Sequence, residues 1–331
     1  MELVRGLHNL RPRHRGCAAT IGNFDGVHLG HQSVLGQLAE RAAELQVPVT
    51  VIMFEPQPRE YFAPETAPPR LTRFREKIEA LRRFGVDRIV CLQFDRRLAG
   101  MAPETFVRQI LLDGLDVKYL VVGDDFRFGR ERAGTFAMLE QAGDEYGFPV
   151  VNMHTFGIEG SRVSSTRIRE ALAAGDLAAA EALLGRQFRM SGRVAHGDKR
   201  GRQIGFPTAN IHLHRTATPV SGVFAVEMFG LPHEPIAGIA NVGTRPTVDG
   251  TRTLLEVNLF NFNANIYGCH VQVEFLHKIR EERQFESFQA LKKQIERDVV
   301  KARGYFGVEF TAETRACFGF RFTAKAQRTL G

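Results

Sequence analysis

Apolar and polar positions divide this chain into two textures. Up to about residue 160, short apolar runs alternate with longer stretches in which apolar residues recur at helical spacing. CAATIGNF (17–24), PVTVIMFEP (48–56), DRIVCLQFD (87–95), VKYLVVGDDF (117–126) and FPVVNMHTF (148–156) read as buried strands. Between them, QSVLGQLAERAAEL (32–45), LTRFREKIEALRRFG (71–85) and PETFVRQILLDG (103–114) read as helices. This alternation predicts a parallel sheet wound with helices on both faces, whose ligands bind beyond the carboxyl ends of the strands. GNFDGVH, at the end of the first of those strands, lies in that position.

VSSTRIREALAAG and DLAAAEALLGR then read as two short helices. From Phe188 the pattern changes to short strands broken by Gly and Pro: FRMSGRVAHG, GVFAVEMFG, GIANVG, TLLEVNLFNF and HVQVEFLHKIR. That pattern predicts a small antiparallel barrel or sandwich. An amphipathic helix, ESFQALKKQIERDVVKAR, follows. The expected organisation is an α/β domain over 1–186, a β domain over 187–303 and an extension over 304–331 that fits neither pattern.

Composition adds limits rather than a new direction. A chain of 331 residues is too long for one compact core. The four cysteines, Cys17, Cys91, Cys269 and Cys317, lie far apart with no CxxC pair. This argues against a zinc site or a disulfide framework and for a reducing cytoplasm. No run of about 18 apolar residues predicts a membrane span, and MELVRGLHNLRPRHRGC lacks the apolar stretch of a signal peptide. The net charge of +7 favours polyanionic partners without choosing between nucleic acid and nucleotide phosphates.

GNFDGVHLGH narrows that choice. His28 and His31 flank the start of a helix near Gly30. Unpaired backbone N–H groups and partial positive charge favour an anion there. Two imidazoles add donors for phosphate oxygens, and Gly30 removes a side chain that would block close approach. A lone histidine is more often a surface or packing residue, but HxGH directly after a strand and turn favours the phosphate reading. Metalloprotease spacing is absent, as are GxxxxGK[ST] and GxGxxG. In VSSTRIRE, Ser164, Ser165 and Thr166 form a second helix-start anion site, and Arg169 lies one turn further on, where it would reach a departing pyrophosphate.

Together these two motifs resemble the nucleotidylyltransferase superfamily, and within it the bacterial FMN adenylyltransferase branch. FEPQP (54–58) and VVGDDFRFG (121–129) are similar to that branch as well. The resemblance implies a nucleotide site that includes Gly22, Asn23, Phe24 and Gly30, and a flavin site that includes Pro56, Pro58, Asp125 and Phe126. It also implies attack of the FMN phosphate on the α-phosphorus of ATP, a reaction of positioning and charge neutralisation.

In the second half, GDKRGRQIGFPTANI (197–211) ends in a strand on which Thr208 and Asn210, two apart, face one side. A hydroxyl and an amide oxygen side by side suit Mg²⁺, and the glycine-rich loop before them suits ATP phosphates. A tight hairpin turn with ordinary Thr/Asn chemistry is the competing reading. Glu256 shares a strand face with Asn258 and Phe260, and a carboxylate pointing into a barrel mouth would take a proton from a hydroxyl. GxxxGRxxGFPTAN, GVFAVEM, NVGTRPT and LEVNLF resemble, in that order, bacterial riboflavin kinase. The resemblance implies ATP contacts at Gly197, Gly201, Arg202 and Gly205, and Mg-ATP held by Thr208 and Asn210. It further implies flavin contacts at Thr244 and Arg245, with Glu256 as the base.

From Met1 to about Arg303 the chain thus resembles the bifunctional bacterial riboflavin kinase/FAD synthetase family. The resemblance implies riboflavin, FMN and ATP as substrates, FAD as product, and Mg²⁺. No nucleic-acid or membrane partner is expected, and a homo-oligomer is compatible with the sequence. One departure is NFNANIYG (261–268), where the family segment is closer to DFDGDLYG, so Asn261, Asn263 and Asn265 replace acids and Ala264 a turn glycine. A positive φ at Ala264 would cost up to about 1 kcal/mol. This change motivates one alternative, an FMN adenylyltransferase whose barrel binds flavin without phosphorylating it. Thr135 in RAGTF stands where the family commonly has Asp, and both residues cap helices. A flavin-sensing or RNA-binding regulator, suggested by the basic charge and RFREKIEALRR, lacks stacking aromatics of an RNP type.

Overall fold

The computed structural model describes residues 1–123, 125–153, 157–158, 161–195, 206–215, 217–232, 235–247 and 250–307. These fall into two compact units, the first Met1–Arg186 with Ala217–Pro219 and the second beginning at Gln187.

The first unit holds β1 (Glu2–Arg5), β2 (Cys17–Ile21), α1 (Leu29–Leu45), β3 (Val49–Glu55), α2 (Pro58–Phe62), α3 (Phe74–Arg83) and β4 (Arg88–Gln93). It continues with α4 (Arg96–Ala99), α5 (Pro103–Phe106), β5 (Val117–Gly123), α6 (Phe136–Tyr146), β6 (Val150–Met153) and the two-residue strands β7 (Gly157–Ile158) and β8 (Ser161–Arg162). α7 (Ser165–Ala174) and α8 (Leu177–Leu184) close it. Six parallel strands form one sheet in the order β1-β4-β3-β2-β5-β6. All five residues of β2 are buried, because successive side chains enter different layers. Cys17, Ala19 and Ile21 pack with Phe106, Val107 and Leu139 on one face. Ala18 packs with Leu35 and Leu38 of α1 and Leu81 of α3 on the other.

The wound parallel sheet is therefore as the apolar rhythm predicts, with two differences. Edge strand β1 carries only Leu3 and Val4 as apolar residues, too few to separate it from a basic leader. After α5 the helix widens into a π-turn over Val107–Leu112 rather than continuing as α-helix. Polar caps start several helices: Thr135, Ser164 and Asp176 each accept a backbone N–H from three residues on.

The second unit contains β9 (Phe188–Ala195), β10 (Ala209–His212), β11 (Gly222–Phe229), β12 (Ile236–Thr247), β13 (Gly250–Leu259), β14 (His270–Arg280) and α9 (Phe288–Tyr305). Its strands close into an antiparallel barrel, β10-β13-β12-β11-β14-β9, which decides between the two β architectures. Phe224 and Phe275 meet edge-to-face at 5.2 Å, and Val226, Met190 and Leu255 share their burial. The alternate residues Val223, Ala225 and Ile239 pack outward against Val299 and Ala302 of α9.

A polar chain fastens α9. Asp298, 2% exposed, accepts from Arg280 Nε at 2.8 Å and from Gln294 Nε2 at 2.7 Å. Removing one partner leaves a buried charge uncompensated, so Arg280→Met is expected to cost about 3 kcal/mol. Chemical unfolding followed by circular dichroism measures that loss.

Candidate active sites

β2 is flanked by β3 on one side and β5 on the other, so the winding direction reverses between β2 and β5. An open cleft of about 320 Å³ lies beyond the carboxyl ends of these two strands. Gly22, Asn23 and Phe24 line it after β2, and Asp125 and Phe126 after β5. His28, Gly30 and His31 line it from the start of α1, and Ser164 and Ser165 from the start of α7.

His28 is the N-cap of α1, and its Nδ1 accepts the His31 backbone N–H at 3.4 Å. The two rings stack with centroids 3.7 Å apart. A Cβ at Gly30 would lie 3.3 Å from the His28 ring and 3.6 Å from the Val163 carbonyl, so the glycine permits this packing. Burial pushes the His28 pKa down to about 4 and holds His31 well below its usual range, helped there by His28 and Lys77. Both rings are therefore neutral at pH 7. With Nδ1 accepting, neutral His28 carries its proton on Nε2 and offers an N–H to an anion.

The loop before them is strained. Phe24 (φ 48°) and Val27 (φ 43°) adopt left-handed backbone on either side of Gly26 (φ 86°), a conformation that costs a β-branched residue about 1–3 kcal/mol. Asp25, 3% exposed, holds the loop in place. Its carboxylate accepts the backbone N–H groups of Leu71 (3.0 Å) and Thr72 (2.9 Å), and Arg169 Nη2 at 2.5 Å. Its carbonyl accepts Ser165 Oγ at 2.9 Å, and the Gly26 N–H donates to Thr72 Oγ1 at 2.9 Å.

Arg169 departs from the sequence expectation. Its guanidinium is committed to Asp25 and to the Pro69 carbonyl (2.7 Å), and it does not line the cleft. Ser164 caps α7 by accepting the Arg167 N–H at 3.3 Å, while Thr166 is exposed and outside the cleft lining. Pro56 and Pro58 lie outside that lining too. Pro58 opens α2, where Tyr61 and Phe62 pack edge-on against Phe94 at 5.4 and 5.6 Å. Arg162, which pairs with Asp125 at 3.0 Å, joins the cleft without having been singled out in the sequence.

In the barrel, Asn210 is the cross-strand partner of Glu256, and Glu256 in turn opposes Asn241. Asn241 opposes Val223, which packs against α9. Glu256 therefore stands on the outer, helix-bearing face, not in the barrel mouth: its neighbours Leu255 and Val257 take the interior. Thr208 immediately precedes β10. Asn258 Nδ2 donates to the Pro207 carbonyl at 2.7 Å, laying the PTAN segment beside β13. Gly197, Gly201, Arg202 and Gly205 lie outside the described residues, and of Thr244 and Arg245 only the backbone, in β12, is described.

Comparison with known proteins decides the family. A family model described as FAD synthetase matches residues 10–167, and one described as riboflavin kinase matches residues 184–306. The bifunctional riboflavin kinase/FMN adenylyltransferase of Escherichia coli (strain K12) is 52% identical over 309 residues, covering 93% of this chain and 99% of its own length. The chain belongs to the bifunctional riboflavin kinase/FMN adenylyltransferase family. The Haemophilus influenzae protein of the same name is 53% identical over 306 residues, covering 92% and 99%. A crystal structure of a Streptococcus pneumoniae protein named macrolide-efflux protein matches with a TM-score of 0.77 at 30% identity, covering 91% of this chain and 98% of that one.

Within this family the altered hairpin is benign at the backbone. The left-handed residue is Asn261 (φ 54°), not Ala264, and asparagine tolerates that conformation. Asn261 Oδ1 accepts from Arg303 at 3.2 Å, and Arg303 lies over the Phe260 ring at 4.5 Å.

Asp25→Asn weakens the tie to buried Arg169 and leaves one backbone N–H unsatisfied. It is expected to cost about 3 kcal/mol and to slow FMN adenylylation at least tenfold while riboflavin phosphorylation continues. Thermal unfolding and separate rate measurements of the two steps check this. The histidines add a pH signature. Both folded pKa values lie below the unfolded value of 6.5, so the contribution to stability is complete above 6.5, and that of His28 is lost as pH falls toward about 4. Unfolding midpoints of the wild type and His28→Gln, compared across that range, are expected to converge as pH falls.

Proposed function

We propose that the first domain, residues 1–186, adenylylates FMN and that the barrel domain, residues 187–303, phosphorylates riboflavin, with no role assigned to residues 304–331. The enzyme converts riboflavin to FMN and FMN to FAD with ATP. Its partners in this reading are small molecules alone, and its compartment is the cytoplasm. Among the described residues, no helix is long and apolar enough to cross a membrane.

The observation that carries the first assignment is the meeting of GNFD, HxGH, DF and VSS at one switch-point cleft. There an oxygen of the FMN phosphate forms a bond to the α-phosphorus of ATP, the α–β bridging bond breaks, and pyrophosphate leaves. His28 Nε2–H, His31 and the α7 start stabilise negative charge on the phosphates. Gly22, Asn23, Phe24 and Gly30 shape the nucleotide wall. Arg169 holds Asp25 and so keeps the two helix starts in register. Asp125, Phe126, Pro56 and Pro58, next to exposed Tyr61 and Phe62 and half-buried Phe94, form the flavin side, because a flat ring system stacks on aromatic faces.

In the barrel, Glu256 takes the proton of the riboflavin 5′-hydroxyl as that oxygen attacks the γ-phosphorus of ATP and ADP leaves. Asn210, directly across from it, brings the nucleotide end to the base. Gly197, Gly201, Arg202 and Gly205 cradle ATP, and Thr244 and Arg245 contact the flavin. Mg²⁺ fits the donor set: Thr208 and Asn210 offer neutral oxygens, suited to an ion carried largely by the phosphates. When bound it neutralises phosphate charge.

Incubation with riboflavin and Mg-ATP, followed by chromatography, is expected to yield FMN first and FAD after it. Glu256→Gln should lower the first step about 100-fold or more and leave FAD formation from added FMN intact; His28→Ala should do the reverse. FAD from FMN but no product from riboflavin would favour an adenylyltransferase alone.

A further inference from the structure

Asp25 is one hold on the loop between β2 and α1, and the carbonyls of the two residues after it are held by a different part of the chain. Arg186 Nη2 donates to the Gly26 carbonyl at 2.9 Å. Gln32, at the start of α1, donates from Nε2 to the Val27 carbonyl and to the Leu184 carbonyl, each at 2.9 Å. The amide nitrogen carries two hydrogens, so it can make both bonds at once. Leu184 ends α8, and its carbonyl is one of those that a helix leaves unpaired at its C-terminus. Gly185 caps α8 in left-handed backbone (φ 72°), and a Cβ there would lie 2.6 Å from Leu29 Cδ2. Glycine at that position lets the end of α8 meet the start of α1.

These bonds converge on the backbone of one residue. The Gly26 carbonyl belongs to the peptide plane before Val27, and the Val27 carbonyl to the plane after it. Holding both planes fixes φ and ψ of Val27, which stands in the left-handed region (φ 43°) that a β-branched side chain disfavours. The next residue is His28, the N-cap of α1. If released, Val27 would relax toward negative φ, turning the peptide that leads into His28 and shifting its ring in the cleft. Neither Gln32 nor Arg186 lines that cleft. Arg186 closes the first unit, and β9 of the barrel begins two residues later, at Phe188.

We propose that Arg186 is a positioning residue for adenylyl transfer: together with Gln32 it pins the peptides on either side of Val27 and thereby sets the His28 ring at the phosphates. The proposal rests on the assignment of the cleft to FMN adenylylation. Arg186 and Gln32 touch neither substrate, and their effect passes through the backbone of Gly26 and Val27. The segment that leads into the barrel is in this way part of the support of the adenylylation site, and riboflavin phosphorylation does not depend on these bonds.

Arg186→Met, Arg186→Lys and Gln32→Met, made in the full chain, test this. Both methionine variants are expected to lower kcat for FAD formation from FMN and ATP by about tenfold or more, since small displacements of a catalytic group are costly. Arg186→Lys keeps a donor for the Gly26 carbonyl and should restore most of the rate. Riboflavin phosphorylation should be unchanged in all three. In spectra of ¹⁵N-histidine-labelled protein, the His28 titration should move to higher pH in the methionine variants, as the ring loses its burial. Unchanged FAD formation in Arg186→Met overturns the proposal while wild-type activity keeps the cleft assignment. A wild-type chain that makes no FAD from FMN overturns both. Loss of folding, an equal fall in both steps, or slower FAD formation with an unmoved His28 titration makes Arg186 a general anchor and overturns the proposal.

Discussion

The carboxylate of Asp25 is buried where the loop after β2, the turn into α3 and the start of α7 come together. A charge without water must be met by donors, and here these are two backbone N–H groups, the Thr72 hydroxyl and the Arg169 guanidinium. Each donor belongs to a different wall of the cleft or to the segment that supports it. One buried charge thereby sets the spacing between the HxGH helix start and the Ser164–Ser165 helix start. It also holds the loop in which Phe24 and Val27 are kept in left-handed backbone. Without that anchor the loop would relax, and the two helix starts would lose their fixed spacing.

The barrel solves a related problem by other means. Its proposed site groups are aligned by strand register, Asn210 opposite Glu256 and Glu256 opposite Asn241, so their separation follows from the sheet ladder. The interior is filled by Phe188, Phe224 and Phe275, so Asn210, Asn241 and Glu256 stand on the outer face. In the wound sheet, by contrast, the strands supply only position, and loops at their carboxyl ends supply the chemistry. The two candidate sites thus rest on two kinds of rigidity: a buried ion pair in one and a hydrogen-bonded ladder in the other.

Much of this was legible in the residues. HxGH and VSST announced two helix starts because capping and anion binding at a helix terminus are properties of four or five consecutive residues. The GFPTAN and LEVNLF segments marked the two strands that carry Asn210 and Glu256. Lys77 was hidden because it sits in RFREKIEALRR, which reads as a solvated basic face. Asp25, flanked by Phe24 and Gly26, reads as an ordinary turn residue. Arg169 looked free for pyrophosphate because nothing near it in sequence shows Asp25, 144 residues away. For Glu256, alternation says which residues share its face but not which face is inside.

The sequence by itself determined most of the strands and helices, though not β1 or the π-turn after α5, together with the two-domain plan and the family, since periodicity, caps and short motifs are local interactions. Only the tertiary structure decided which polar groups are buried and whom they meet: Asp25 with Arg169, Lys77 in the interior, Glu256 on the outer face. Burial and pairing depend on segments brought together from distant parts of the chain, and no local pattern encodes that distance.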